Sequence, residues 1–350
     1  MNTWNQLLAD QGVVRDDQRY RHAGRALTVT DLADGFVAPV GGLGLIAVSG
    51  DDAATFLHGQ LTNDVEHLTP SSARLAAYCT PKGRVMASFL MWRNDTSIFL
   101  QLSRDIQVAL QKRLAMFVMR AKAKLHDASA DGATSVLLAL GGSKAGTALA
   151  PWFEVLPAAP YDKTEHALGT LIRVADALGA PRYQWLMAPE SAVQVWPVLA
   201  AALVIGGDDA WDLSEVHAGV PRIALATQEQ FVPQMINLEL LGGVNFKKGC
   251  YPGQEIVARS QYLGKLKRRT TLASIADTAV KAGDEVFATS DPAQPAGMVV
   301  NAAPNGADGV DALVELKLAA LDEASVQWGA AGGPALSFLA MPYVLDALDL

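Results

Sequence analysis

The sequence has few of the residues that usually announce a function. Cysteine occurs twice in 350 residues, at Cys79 and Cys250. Two thiols so far apart build no disulfide framework, and they fit a reducing compartment. The six histidines fall at no metal-ligand spacing and there is no C-x-x-C pair, so no closed zinc site is expected. Charged residues make up only 18% of the chain and the net charge is −8. That balance argues against bulk attraction to nucleic acid or to an anionic membrane, and neither is an expected partner. The longest apolar run, residues 195–205, is too short to cross a bilayer and contains Pro197. The N-terminus lacks a basic stretch followed by an apolar one, so it does not read as a signal peptide. A soluble, cytoplasmic protein is expected. Neither GLG at residues 42–44 nor GGSK at 141–144 has the full spacing of a dinucleotide or P-loop motif; both are assigned to turns.

Half of the residues are apolar, enough at this length for two or three domains. Residues 44–49, 75–79, 84–92, 97–102, 135–140, 171–175 and 183–187 read as strands. Helices are expected at residues 52–61 and 104–119, after GGS 141–143, and at 191–203, where Pro197 marks a strain point or a break. Such alternation suggests α+β layers. After Arg269 the pattern becomes strand, turn, strand, which predicts a small β-barrel or sandwich.

The most suggestive stretch is KKGCYPGQEIVAR, residues 247–259. A thiol acts as a nucleophile or ligand only as the thiolate. Lys247, Lys248 and Arg259 flank Cys250, and Pro252-Gly253 leads into a helix expected to begin near Gln254. Nearby cations and a helix N-terminus favour the charged form. A buried, inert cysteine is the equally weighted alternative. Glu255 fits a first-turn helix residue, and the basic run at residues 265–269 fits a solvated strand entry or a hold for an anionic tail. Asn63 and Asp64 fit ordinary turn residues after the first helix. Trp211, Phe231 and Tyr251 lie in polar, loop-like stretches, where an aromatic face can meet a flat ligand.

KGCYPGQE at residues 248–255 resembles the signature of the YgfZ family, folate-binding proteins of iron–sulfur maintenance. FLHGQLTNDV (56–65), TPKGRVMASF (80–89), HAGVPRI (217–223) and FVPQMINLELLGGVNF (231–246) resemble other motifs of that family. The resemblance covers roughly residues 44–269. It implies a three-domain ring like that of the glycine-cleavage aminomethyltransferase, with a central folate channel. Residues 1–269 would hold two interleaved α+β domains, the second within about 50–130, and residues 270–350 the C-terminal β-barrel.

The resemblance also implies roles. Cys250 would be the reactive thiol, with Lys248, Gly249, Tyr251, Gly253, Gln254, Glu255 and Arg259 shaping or supporting it. Trp211, Asn63, Asp64 and Leu43 would face the folate channel. The cofactor would be tetrahydrofolate or a related folate, its polyglutamate tail held by residues 265–269. Iron–sulfur proteins, including radical enzymes of tRNA modification, would be the clients. The chain departs from the aminomethyltransferase pattern at residues 82–87 (KGRVMA), where the paired aspartates are missing. One-carbon transfer is therefore the alternative reading, and an interaction protein that has lost its ligand is a third.

Overall fold

The structure is a computed structural model and describes residues 3–264, 266–322, 325–330 and 332–345. Three large sheets carry it, beside a two-stranded one of Val13–Asp16 and Arg19–His22. The first is antiparallel and runs, edge to edge, Ala73–Cys79, Val85–Arg93, Ser97–Ser103, Leu43–Ser49, Lys124–Asp127. The second runs Lys163–His166, Gly169–Ala177, Ala180–Met187, Val136–Gly141, Phe36–Pro39, Val204–Ile205. It takes strands from both sides of the stretch that builds the first. The third runs Val326–Trp328, Glu285–Ala288, Asp291–Pro304, Val310–Lys317, Arg268–Ile275, Leu336–Leu339. The apolar runs expected as strands are strands, Phe36–Pro39, Lys124–Asp127, Lys163–His166 and Val204–Ile205 join them unexpected, and the chain is α+β.

The helix Asp208–His217 touches strands of the second and third sheets, while its Trp211 belongs to the core of the first. Its polar side is pinned. Asp208 accepts hydrogen bonds from the backbone N–H groups of Tyr20 (2.6 Å), Gly41 (3.1 Å) and Gly42 (2.7 Å). At its far end His217 Nε2 and Asp311 Oδ2 lie 2.7 Å apart, tying the helix to the third sheet. A buried carboxylate is tolerated only when its oxygens are satisfied in this way.

Three helix expectations need correction. The first helix spans only Ala53–His58. Beyond it the chain turns to join the first sheet, and Thr62 N donates to the Ala77 carbonyl at 2.9 Å. The second stops at Met116, because Phe117 and Met119 at the end of its apolar stripe are exposed and Met119 takes a left-handed φ of 46°. The third, Pro189–Ala202, is not broken at Pro197. Pro197 faces solvent, where a missing backbone hydrogen bond costs least. No helix among the described residues is long and apolar enough to cross a membrane.

Candidate functional site

Two places gather the residues singled out above. The first is the cysteine loop. Cys250 is exposed, just before the helix Gln254–Tyr262. Gly253 enters that helix with a left-handed φ of 81°, a conformation glycine adopts without penalty. The loop is held from below by Lys248, whose ammonium donates to the carbonyls of His58 (2.6 Å), Leu61 (3.0 Å) and Gly249 (3.2 Å). The same ammonium lies 4.8 Å from the centre of the Tyr251 ring, a cation–π contact. Burial, outweighing the pull of Asp64 and Cys250, brings Lys248 down to about 8. Lys248 thus clamps the loop that carries Cys250.

Tyr251 is buried, and its hydroxyl has no hydrogen-bond partner among the described residues. Burial raises the Tyr251 phenol, with a smaller contribution from Cys79. Cys79 itself is buried, and burial pushes its thiol up to about 12. The two cysteines therefore occupy opposite environments. Gln254 is half-buried; Glu255 and Arg259 are exposed on the helix, as is Lys247 on the loop.

Asp64 belongs to this neighbourhood. Its carboxylate accepts from His67 Nδ1 (2.8 Å) and His67 N (3.2 Å) and stands 3.3 Å from His58 Nδ1. Burial works to raise it, but these contacts win and hold it below the usual carboxylate range. Asn63 is a tie inside the chain, its amide donating to the carbonyls of Leu75 and Gly242 at 2.7 Å each.

The second place is a pair of adjoining chambers that share lining residues. The inner one, about 50 Å³, is lined by residues that include Leu43, Trp211, Tyr161, Gln184, Arg182 and Glu215. Leu43 and Trp211 line one chamber, while Asn63, Asp64 and Cys250 are not among its lining residues. Trp211 is helical and fully buried rather than loop-like, with the Arg182 guanidinium 4.7 Å from its ring. Three buried polar atoms on the wall have no hydrogen-bond partner among the described residues: Trp211 Nε1, the Tyr161 hydroxyl and Gln184 Oε1. Each such group costs about 1–3 kcal/mol unless something pairs with it.

The outer chamber, about 490 Å³, shares Glu215 and Arg222 with the inner one. Arg222 pairs with Glu215 at 2.5 Å and with Asp212, which also pairs with Arg19 at 2.5 Å. Burial opposes the charge on Asp212, yet Arg222 and Arg19 keep it below the usual range; for Glu215 burial prevails and raises it.

No family model matches the chain. Over 246 residues it is 33% identical to the tRNA-modifying protein YgfZ of Klebsiella pneumoniae (strain 342), covering 69% of this chain and 72% of that one. The chain belongs to the YgfZ family. A second YgfZ, from Yersinia pseudotuberculosis serotype O:1b (strain IP 31758), is 34% identical over 227 residues, 64% of this chain and 66% of that one. The fold is that of the glycine cleavage system aminomethyltransferase T from Bartonella henselae, with a TM-score of 0.76 over 97% of this chain and 96% of that one. At 18% identity this likeness is one of fold alone.

Within the YgfZ fold, the two most distinctive motifs of the sequence meet. The turn at residues 81–83 packs against Gly253 and Ile256 of the cysteine motif, not against the chambers. Tyr161, Gln184, Arg182 and Glu215 were missed in the sequence. A signal for two of them exists: Arg182 and Gln184 are polar residues two apart in an otherwise apolar strand, so they share a face. Glu215 stands four residues after Trp211 on one helix face.

Within the basic run at residues 265–269 the arginines are committed to partners in the fold, while Lys267 is exposed on the surface. Arg268 pairs with Glu315 and Arg269 with Glu239, both within the fold, and Lys265 lies outside the described residues.

Proposed function

We propose that this protein binds a folate in its adjoining chambers and serves iron–sulfur proteins, including enzymes that modify tRNA, through the Cys250 thiol. The ring of domains around a folate channel is part of this reading. The observation that carries it is the exposed Cys250 on a loop locked by Lys248, while the protein's other thiol is buried. A thiol presented on a rigid loop beside a cation and a helix N-terminus suits attack on, or ligation of, a group brought by another protein.

The inner chamber is chemically suited to a pterin. Such a ring is flat and carries donors and acceptors along its edges. Trp211 Nε1 offers a donor, Gln184 Oε1 an acceptor and the Tyr161 hydroxyl either. At about 50 Å³ the chamber admits a bicyclic ring only as its side chains give way. When bound, the folate would supply one-carbon or redox chemistry; the chain's residues bind and orient it.

One-carbon transfer by the chain itself has weaker support. Glu215 is the only carboxylate among the inner lining residues, and it is paired with Arg222. The strand Val85–Arg93 contributes Ser88, Phe89 and Leu90 to that wall and no acid to orient an amine.

The test is complementation of a bacterial strain lacking its YgfZ, reading the activity of iron–sulfur enzymes. Wild type should restore it and Cys250→Ala should not, at equal protein level. Full rescue by Cys250→Ala would remove the thiol from the reading. Calorimetric titration with tetrahydrofolate tests the other half, and no heat at millimolar ligand would remove the folate.

A further inference from the structure

Arg268 and Arg269 are committed elsewhere, and the exposed Lys267 lines neither chamber, so the acidic end of a folate in the chambers needs another counter-ion. The outer chamber supplies a different one. Its wall holds Arg19, Arg104 and Arg222. Arg19 and Arg222 are already neutralised by Asp212 and Glu215. Arg104 is not among the residues that form an ion pair in the described structure. Its Nη1 reaches Gln107 Oε1 at 3.4 Å, and its buried Nε has no hydrogen-bond partner among the described residues.

The acids around Arg104 are occupied. Asp208 accepts from Tyr20, Gly41 and Gly42; Asp127 accepts from Ser129 N at 2.9 Å; Asp105 accepts from Leu225 N at 2.9 Å. Asp17 lies at the exposed rim. Asp127 and Asp208 act on Arg104 only at longer range, and burial, the larger influence, lowers it. The half-buried guanidinium lines a chamber of about 490 Å³ and has no carboxylate paired with it among the described residues, which makes it a place for one carboxylate. Its backbone is anchored, because Arg104 N donates to the Gly42 carbonyl at 2.9 Å and Asp208 holds Gly42 in turn.

We propose that the outer chamber receives the carboxylate-bearing end of the bound folate and that Arg104 is its counter-ion. This rests on the folate reading above. The two chambers meet at Glu215 and Arg222, so one ligand can place a flat ring beside Trp211 and a carboxylate beside Arg104.

The experiment titrates the full-length protein with tetrahydrofolate and with 6-methyltetrahydropterin, which has no acidic tail, following tryptophan fluorescence or heat. Wild type should prefer tetrahydrofolate by about tenfold, the scale of one charge-assisted pair. Arg104→Gln should lose that preference while binding the tailless pterin as wild type does. Arg104→Lys should keep part of it. A thermal melt of Arg104→Gln matching wild type shows that the fold is intact. If Arg104→Gln keeps the full preference, the assignment of Arg104 is overturned and the folate reading stands. If wild type binds neither ligand, the folate reading fails and this proposal fails with it.

Discussion

Gly253 and Gly83 sit back to back, both with left-handed φ angles, 81° and 71°. A Cβ added to Gly253 would fall 2.4 Å from the Thr80 carbonyl oxygen and 2.7 Å from the Gly83 Cα. The cysteine loop can therefore lie on the lysine-glycine-arginine turn only because neither residue has a side chain. Gly253→Ala should destabilise the protein by about 2–3 kcal/mol, the sum of a left-handed alanine and a backbone clash. Gly242→Ala is the control. It has a similar φ of 73° and open space around the added Cβ, so it should cost only about 1 kcal/mol. Chemical denaturation of both variants checks the difference; equal losses would mean that the close approach is not what fixes the loop.

The two thiols should separate cleanly in reactivity. Iodoacetamide at neutral pH should label one equivalent per native chain, at Cys250, with Cys79 labelled only after unfolding. Cys79 is buried with its thiol pushed up to about 12, and an inaccessible, protonated thiol does not react. Cys79→Ala should cost about 1 kcal/mol from the small cavity and keep full activity in complementation. Peptide mass mapping reads the label; native labelling at Cys79 would contradict its burial.

Lys248 gives the cysteine loop a pH dependence whose sign can be worked out. Its folded value is about 8 against an ordinary 10.5, chiefly because of burial. Between those values the unfolded chain binds more protons than the folded one, so this group makes stability rise with pH. The cost of its buried charge is fully present below about 8 and is relieved as pH approaches 10.5. Lys248→Met does not titrate there. The melting temperature of wild type relative to Lys248→Met should therefore rise from pH 7.5 to pH 10. A flat or falling difference would show that the clamp gains more from its three carbonyls as a cation than it loses by burial.

How much of this was legible follows from how each part is encoded. The cysteine loop is local: lysine, cysteine and turn glycine are adjacent in sequence, and the helix start at Gln254 follows from them. The apolar strands were legible because such runs bounded by turns leave few alternatives, whereas Lys124–Asp127 and Lys163–His166 carry no apolar run and were not. Helix ends were less so, since apolar spacing continues past Met116 where the chain has already left the core. The chambers were the least legible. Leu43, Tyr161, Gln184 and Trp211 come from four distant segments, and only the sheet topology brings them together. Asn63 and Asp64 show the converse. Polar residues in a turn resemble ligand contacts, yet one stitches the backbone and the other orders His67 beside the cysteine loop.

Tyr161 offers the sharpest separation of binding from stability. Its hydroxyl is buried on the inner chamber with no partner among the described residues, and burial raises its phenol beyond the usual range. In the ligand-free protein this group is desolvated without return. Tyr161→Phe removes one oxygen and leaves the ring, so it should hold or raise stability by up to about 1 kcal/mol. If the hydroxyl pairs with a bound pterin, the same change should weaken tetrahydrofolate binding by about tenfold, because a ligand polar group is then buried unpaired. A structural tyrosine would behave differently, losing stability and leaving affinity unchanged. Melting and titration of this one variant therefore distinguish a chamber built for a ligand from a packing defect: higher stability with weaker binding is the signature of the first, and unchanged binding is the signature of the second.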